Sequence, residues 1–140
     1  MIQQFYPQTN HNYKYELNKD LHLSAAHFIP DDSAGKCKEV HGHNYHINLT
    51  IVGNELNEVG FLVDFKKLKD IVHKRYDHSL LNNFEEFNNS SYPTTEQFAK
   101  AIHERVSEYL SALSNSPVCM QVFVRETPTS YVVYRQEIGE

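Results

Sequence analysis

Two histidines separated by one residue, His41 and His43, stand four and six positions after Cys37 and open an alternating run that extends to Val52. His41, His43, Tyr45, Ile47, Leu49 and Ile51 share one parity, so on a strand both imidazoles face the same way. Two imidazoles placed like this can hold one metal ion. His27 closes an earlier alternating run through Leu21, Leu23 and Ala25. Antiparallel pairing of the two runs across the 28–40 loop brings His27 to the same end of the sheet. Three neutral imidazoles with an open position describe a catalytic zinc site, because a structural site fills all four positions. Imidazole ligands also suit iron, copper and nickel. A single histidine on a strand is more often just a polar residue. His-Gly-His four after a Cys, with His27 upstream, favours the metal.

Four other residues could carry chemistry. Cys37 lies between Lys36 and Lys38, cations that stabilise a thiolate able to act as base or nucleophile. It could equally be a fourth structural ligand or an inert thiol. Asp77 and His78 close a predicted helix, where adjacent side chains diverge, so they are either a catalytic pair or a charge at the helix end. Glu126 ends a predicted strand before the Pro128 turn. It could accept two N–H groups from a guanidine-like edge, or be a solvated charge partnered by Arg125. His11, His22, His46, His73 and His103 lack such company and read as structural or surface residues, and Cys119 reads as a packing residue in an apolar strand.

The elements that must position these groups follow from periodicity. Residues 1–12 read as an N-terminal arm and residues 13–140 as a single domain. Alternation predicts strands from Tyr13 to His27 and from His41 to Val52, separated by a turn-rich loop at 30–38. Asp64 is the expected N-cap of a helix with the stripe Phe65, Leu68, Ile71, Val72 and Tyr76. Residues 82–92 read as a polar linker. Thr94 and Gln97 form an expected capping box for a second helix with Phe98, Ala101, Ile102, Val106, Tyr109 and Leu110 inward. Val118, Met120, Val122 and Val124 alternate against Cys119, Gln121, Phe123 and Arg125 in a third strand, and Tyr131–Gln136 forms a fourth. The order β-β-α-α-β-β predicts an α+β fold, an antiparallel sheet with two helices on one face.

Composition narrows the function class. The chain has 140 residues, enough for one core, with 13 Lys and Arg against 18 Asp and Glu. A net charge of -5 argues against a nucleic-acid surface. No apolar run reaches the roughly 20 residues needed to span a bilayer, and the start lacks the character of a signal peptide. Two cysteines are too few for a disulfide framework. The expectation is a cytoplasmic protein with no membrane and no nucleic-acid partner.

Ser24-Ala25-Ala26-His27, Cys37-x-x-x-His41-Gly42-His43, Val63-Asp64-Phe65, Asp77-His78, Pro93-Thr94-Thr95-Glu96 and Glu126-Thr127 occur in one order. In that order the chain resembles the 6-pyruvoyl-tetrahydropterin synthase family over residues 13–136. The three residues between Cys37 and His41 resemble its bacterial branch of 6-carboxytetrahydropterin synthases, since the pyruvoyl-forming enzymes typically have a longer gap. The resemblance implies a tunnelling fold, with sheets joined between subunits into a barrel. Two such rings stack as a homohexamer, a dimer of trimers with active sites between subunits. It also implies one Zn2+ per subunit on His27, His41 and His43, with Cys37, Asp77 and His78 as the catalytic acid–base group. Glu126 would anchor the pterin, with Thr94, Thr95, Glu96 and Thr127 beside it. Thr95 and Gln97 depart from the Ser or Ala and the Asn often found at those places.

The implied activity is a zinc-dependent carbon–carbon lyase. It converts 7,8-dihydroneopterin triphosphate to 6-carboxy-5,6,7,8-tetrahydropterin with release of acetaldehyde and triphosphate, on the way to queuosine-type 7-deazaguanines. Arg75, Lys36 and Lys38 are candidate cations for the triphosphate. Three alternatives stand beside this reading. One is triphosphate elimination without C–C cleavage, the pyruvoyl-forming activity. Another is a non-catalytic zinc-binding assembly module, which calls for a fourth protein ligand. The third is a metallohydrolase unrelated to pterins.

Overall fold

In the computed structural model, residues 5–88 and 91–136 are described. Their regular elements are β1 (Tyr15–His27), β2 (His41–Gly53), α1 (Phe65–Tyr76), β3 (Ser79–Leu80), α2 (Thr95–Ser111), β4 (Val118–Thr127) and β5 (Ser130–Arg135). The strands form one sheet in the order β3-β1-β2-β4-β5. Leu21, Leu23 and Ala25 of β1 and Tyr45, Ile47, Leu49 and Ile51 of β2 bury one face of it. Leu68, Val72 and Tyr76 of α1 and Phe98, Ile102, Val106 and Leu110 of α2 cover that face. The expected α+β arrangement is present.

Four details differ from the sequence expectation. The sheet is mixed, because β3 pairs parallel with Ala25 and Ala26 of β1; a two-residue strand is too short to show a period. Phe65 is exposed, in the first turn of α1, with the Lys19 ammonium 5.7 Å from its ring centroid. Residues 82–88 are more than a linker, since two 3-10 turns there carry Phe84 and Phe87 onto Tyr76 of the core. Finally, β4 carries two register shifts. Thr50 faces Gln121 while Ile51 faces Cys119, so Met120 is extra and Cys119, not Met120, joins the core beside Val122 and Val124. Burial pushes the Cys119 thiol up to about 12.

Helix starts follow their capping residues. The Asp64 carboxylate accepts from the Lys66 amide at 2.9 Å, and the Thr94 hydroxyl accepts from the Gln97 amide at 3.0 Å. Only half of the expected capping box forms, because the Thr94 amide donates to the Tyr92 carbonyl instead.

The opposite face of the sheet is polar yet buried. Asn48 and Gln121 are almost wholly covered, and residues of the arm lie against this face. The Tyr6 hydroxyl bridges Asp20 Oδ1 at 2.5 Å and His46 Nε2 at 2.6 Å. The Gln121 side-chain amide donates to the Pro7 carbonyl, and Gln121 Oε1 accepts from the Thr9 hydroxyl.

Candidate metal centre and active site

The register of β1 and β2 places His27 directly opposite His41, and Ala25 opposite His43. All three imidazoles therefore leave the helix-side face at one end of the sheet. Their ring centroids lie 4.5 to 5.0 Å apart. One ligand atom from each falls within 4.8 Å of the others. This spacing lets one ion meet all three.

The free nitrogens are set by what holds the others. His27 Nδ1 donates to the Pro93 carbonyl at 2.6 Å, and His41 Nδ1 donates to the Glu39 carbonyl at 2.8 Å. A carbonyl only accepts, so Nδ1 carries the proton in both rings and Nε2 keeps its lone pair. Backbone carbonyls in this role orient metal-binding histidines. His43 Nε2 is buried and makes no hydrogen bond among the described residues. Its nearest charged neighbour is Glu126 Oε1 at 3.5 Å, an ion-pair distance without hydrogen-bond geometry. Burial holds His27 and His43 below the ordinary histidine range, against the opposing pull of the Pro93 carbonyl and of Glu126. Burial thus favours the neutral form of both rings, the form that ligation requires. The donor set fits a zinc ion: imidazole only, oriented from behind, with an orphaned buried nitrogen.

Glu126 reaches this end of the sheet through the second register shift of β4. Arg125 faces Tyr131 and Thr127 faces Ser130, leaving Glu126 unpaired on the strand. Its Oε2 accepts the hydroxyl of Thr95, in the first turn of α2. Tyr45, 1% exposed, packs between His43 and Phe98, and its hydroxyl has no partner among the described residues. Burial and the Glu126 charge push that phenol upward, so it stays neutral.

Asp77 and His78 are hydrogen-bonded, through backbone geometry that spacing does not reveal. α1 ends at Tyr76, and His78 takes a left-handed conformation, φ 57°. This turn folds its ring back, and His78 Nδ1 donates to Asp77 Oδ2 at 2.8 Å. Asp77 Oδ1 accepts from the Ser24 amide at 2.9 Å, and the His78 amide donates to the Ser24 carbonyl. The Ser24 amide, aided by His78 and His73, holds the Asp77 carboxyl below the usual range. His78 lies at the rim of a cleft lined by Ala26, Gly42 and Asn44.

The remaining expected site residues are placed differently. Cys37 is exposed on the 3-10 turn Asp32–Lys38 and stands outside the histidine group. Thr94 spends its hydroxyl on the helix cap. Glu96 is exposed on the first turn of α2. The Thr127 hydroxyl bonds within the turn to Thr129. Of the candidate triphosphate cations, Arg75 is instead committed to Glu86 through two bonds of 3.0 and 2.8 Å, and Lys38 pairs with Asp32. His73, read as structural, lies 3.4 Å from Asp77 Oδ2. Its i, i+4 spacing to Asp77 was the available signal.

The family model described as 6-pyruvoyl tetrahydropterin synthase matches residues 16–137. The chain is 57% identical over 142 residues to a Bacillus subtilis protein named 6-carboxy-5,6,7,8-tetrahydropterin synthase, covering 99% of this chain and 97% of that one. It is 29% identical over 107 residues to the Drosophila melanogaster 6-pyruvoyl tetrahydrobiopterin synthase, covering 72% of this chain and 62% of the relative. The solved structure of Caenorhabditis elegans 6-pyruvoyl tetrahydropterin synthase aligns with a TM-score of 0.70 at 27% identity, over 88% of this chain and 96% of that one. With the histidine triad at the end of a sheet of this topology, the chain belongs to the 6-pyruvoyl tetrahydropterin synthase family.

Proposed function

We propose that this chain is a 6-carboxy-5,6,7,8-tetrahydropterin synthase, a zinc-dependent lyase acting on 7,8-dihydroneopterin triphosphate and releasing acetaldehyde and triphosphate. The observation that carries the choice of branch is the near full-length identity to the Bacillus subtilis enzyme of that name. His27, His41 and His43 would hold the zinc through their lone-pair nitrogens. A zinc ion there supplies Lewis acidity to the hydroxyl and adjacent C–H groups of the substrate side chain.

The protein's own groups then divide the work. Glu126 accepts the N–H edge of the pterin, with Thr95 fixing one carboxylate oxygen beside it. Thr94, Glu96 and Thr127 border that anchor by their place in the chain. Cys37, as thiolate, removes a proton from the side chain. His78 moves a second proton through Nε2 while Asp77 stabilises the imidazolium that forms. Cys37 is exposed and apart from the histidine group in one chain, which suits a site completed between subunits. β5 and most of β1 carry open sheet edges, which suit joining of subunits into a barrel and a homohexamer. Among the described residues no helix is long and apolar enough to cross a membrane, and we place the enzyme in the cytoplasm.

The test is to incubate zinc-loaded protein with 7,8-dihydroneopterin triphosphate and assay acetaldehyde together with the pterin product. Acetaldehyde in equal amount to 6-carboxytetrahydropterin is the expected result. A pyruvoyl product without acetaldehyde would assign the sister activity.

A further inference from the structure

The Asp77 carboxylate is wedged between two imidazoles, and only one of them belongs to the proposed acid–base pair. Oδ2 lies 2.8 Å from His78 Nδ1 and 3.4 Å from His73 Nε2, while Oδ1 is taken by the Ser24 amide. His73 stands four residues back on α1, and the Asp77 amide donates to its carbonyl at 2.9 Å. His73 Nε2 stands at ion-pair distance from Oδ2 without hydrogen-bond geometry, and the backbone bond ties the same two residues together.

The exposures differ in a way that matters. The side chains of His73 and Asp77 are 31% and 21% exposed, whereas that of His78 is 83% exposed. Within one chain little packs against the His78 ring. Its direction depends on the carboxylate it donates to, and that carboxylate is bounded by Ser24 on one oxygen and His73 on the other.

We infer that His73 is a positioning residue for the acid–base pair: it holds Asp77 Oδ2 toward His78 Nδ1–H, so that His78 Nε2 is the atom that exchanges a proton with substrate. The inference rests on the roles proposed above for Asp77 and His78. His73 touches no substrate in this scheme and acts only through Asp77.

The experiment compares zinc-loaded His73→Leu, His73→Gln and Asp77→Asn with the parent protein. Gln is chosen because its side-chain nitrogen reaches the position of His Nε2. Steady-state kinetics are combined with 15N spectra of the histidine side chains, which report the His78 tautomer without requiring turnover. In His73→Leu, kcat should fall roughly tenfold, with KM and zinc content unchanged and His78 moving from one Nδ1–H tautomer to a mixture. His73→Gln should restore most of both. An unchanged His78 tautomer in His73→Leu overturns the inference alone. Equal losses in the Leu and Gln variants, with a lowered melting temperature, overturn it by marking a packing role. Full activity in Asp77→Asn removes the pair from the reaction and takes both readings with it.

Discussion

His27 and Pro93 are joined by a 2.6 Å hydrogen bond from Nδ1 to a main-chain carbonyl, linking the last residue of β1 to the residue before the α2 cap. This bond fixes which nitrogen of a 3% exposed histidine is free. It also couples the metal end of the sheet to the helix whose first turn holds Glu126 through Thr95. The metal ligands and the proposed pterin anchor are therefore parts of one rigid corner.

Loss of a ligand should be read first in metal content. His41 is less buried than His27, and its Nδ1 partner is a neighbouring loop carbonyl. His41→Ala should lower zinc affinity by more than the roughly 10- to 100-fold typical of losing a partner behind a ligand. Elemental analysis after dialysis checks this; undiminished zinc would remove His41 from the ligand set.

Replacing Cys37 should separate chemistry from metal binding. Its side chain is exposed and stands outside the histidine group. Cys37→Ala is expected to keep zinc and oligomeric state while turnover falls by about 10²- to 10⁴-fold. Zinc loss in this variant would reassign the thiol as a structural ligand.

Glu126 should govern substrate affinity. A hydrogen bond to a charged group is worth about 1.5–3 kcal/mol, so Glu126→Gln should raise KM roughly 10- to 150-fold. Thr95→Val should raise it less, since that hydroxyl only fixes the carboxylate. Steady-state kinetics on both variants would expose the opposite ranking.

Stability should fall in acid in two stages. Burial on α2 depresses His103, whose Nε2 donates to the Cys119 carbonyl at 2.9 Å. A histidine that resists protonation when folded binds its proton first in the unfolded chain. Its contribution is thus intact above about pH 6.5 and is lost as pH falls toward its folded value. His103→Gln should flatten that part of the curve. Burial works against ionisation of Glu86, yet Arg75 and the Tyr76 hydroxyl hold it at about 2. Its contribution is present above the ordinary glutamate range and disappears toward pH 2. Thermal melts across pH 7 to 2 check both windows.

Breaking the Glu86 cluster should cost more than an exposed pair would. Arg75 makes two bonds to Glu86 and lies over Phe84, and Tyr76 donates a third bond at 2.5 Å. Glu86→Ala leaves a half-buried guanidinium unpaired and should destabilise by about 2 kcal/mol. Denaturant unfolding measures it, and a change within the error of extrapolation would contradict this.

The long strands and both helices were legible because each repeats a period over enough residues to be read. His27 opposite His41 followed from parity and a plausible hairpin, and the antiparallel register delivers it. Local deviations were not legible. The Asp77–His78 bond needs a left-handed histidine, which no periodicity announces. Met120 and Glu126 each sit where the strand gains a residue, so the alternation read through Met120 fails there. Phe84 and Phe87 look isolated among polar neighbours, and only the fold of α1 brings Tyr76 to meet them. The buried polar face gave no signal, because its Asn, Gln and Thr residues pattern like a solvated surface.

The arm's hydrogen bonds have a consequence for the order of folding. Pro7 meets Gln121 across 114 residues of chain, and Thr9 meets Arg135 across 126. The first needs β4 in place and the second β5, and contacts of such separation form slowly. The Pro7 and Thr9 contacts thus wait for strands from the far end of the chain, whereas Tyr6 can meet Asp20 and His46 as soon as β1 and β2 have paired.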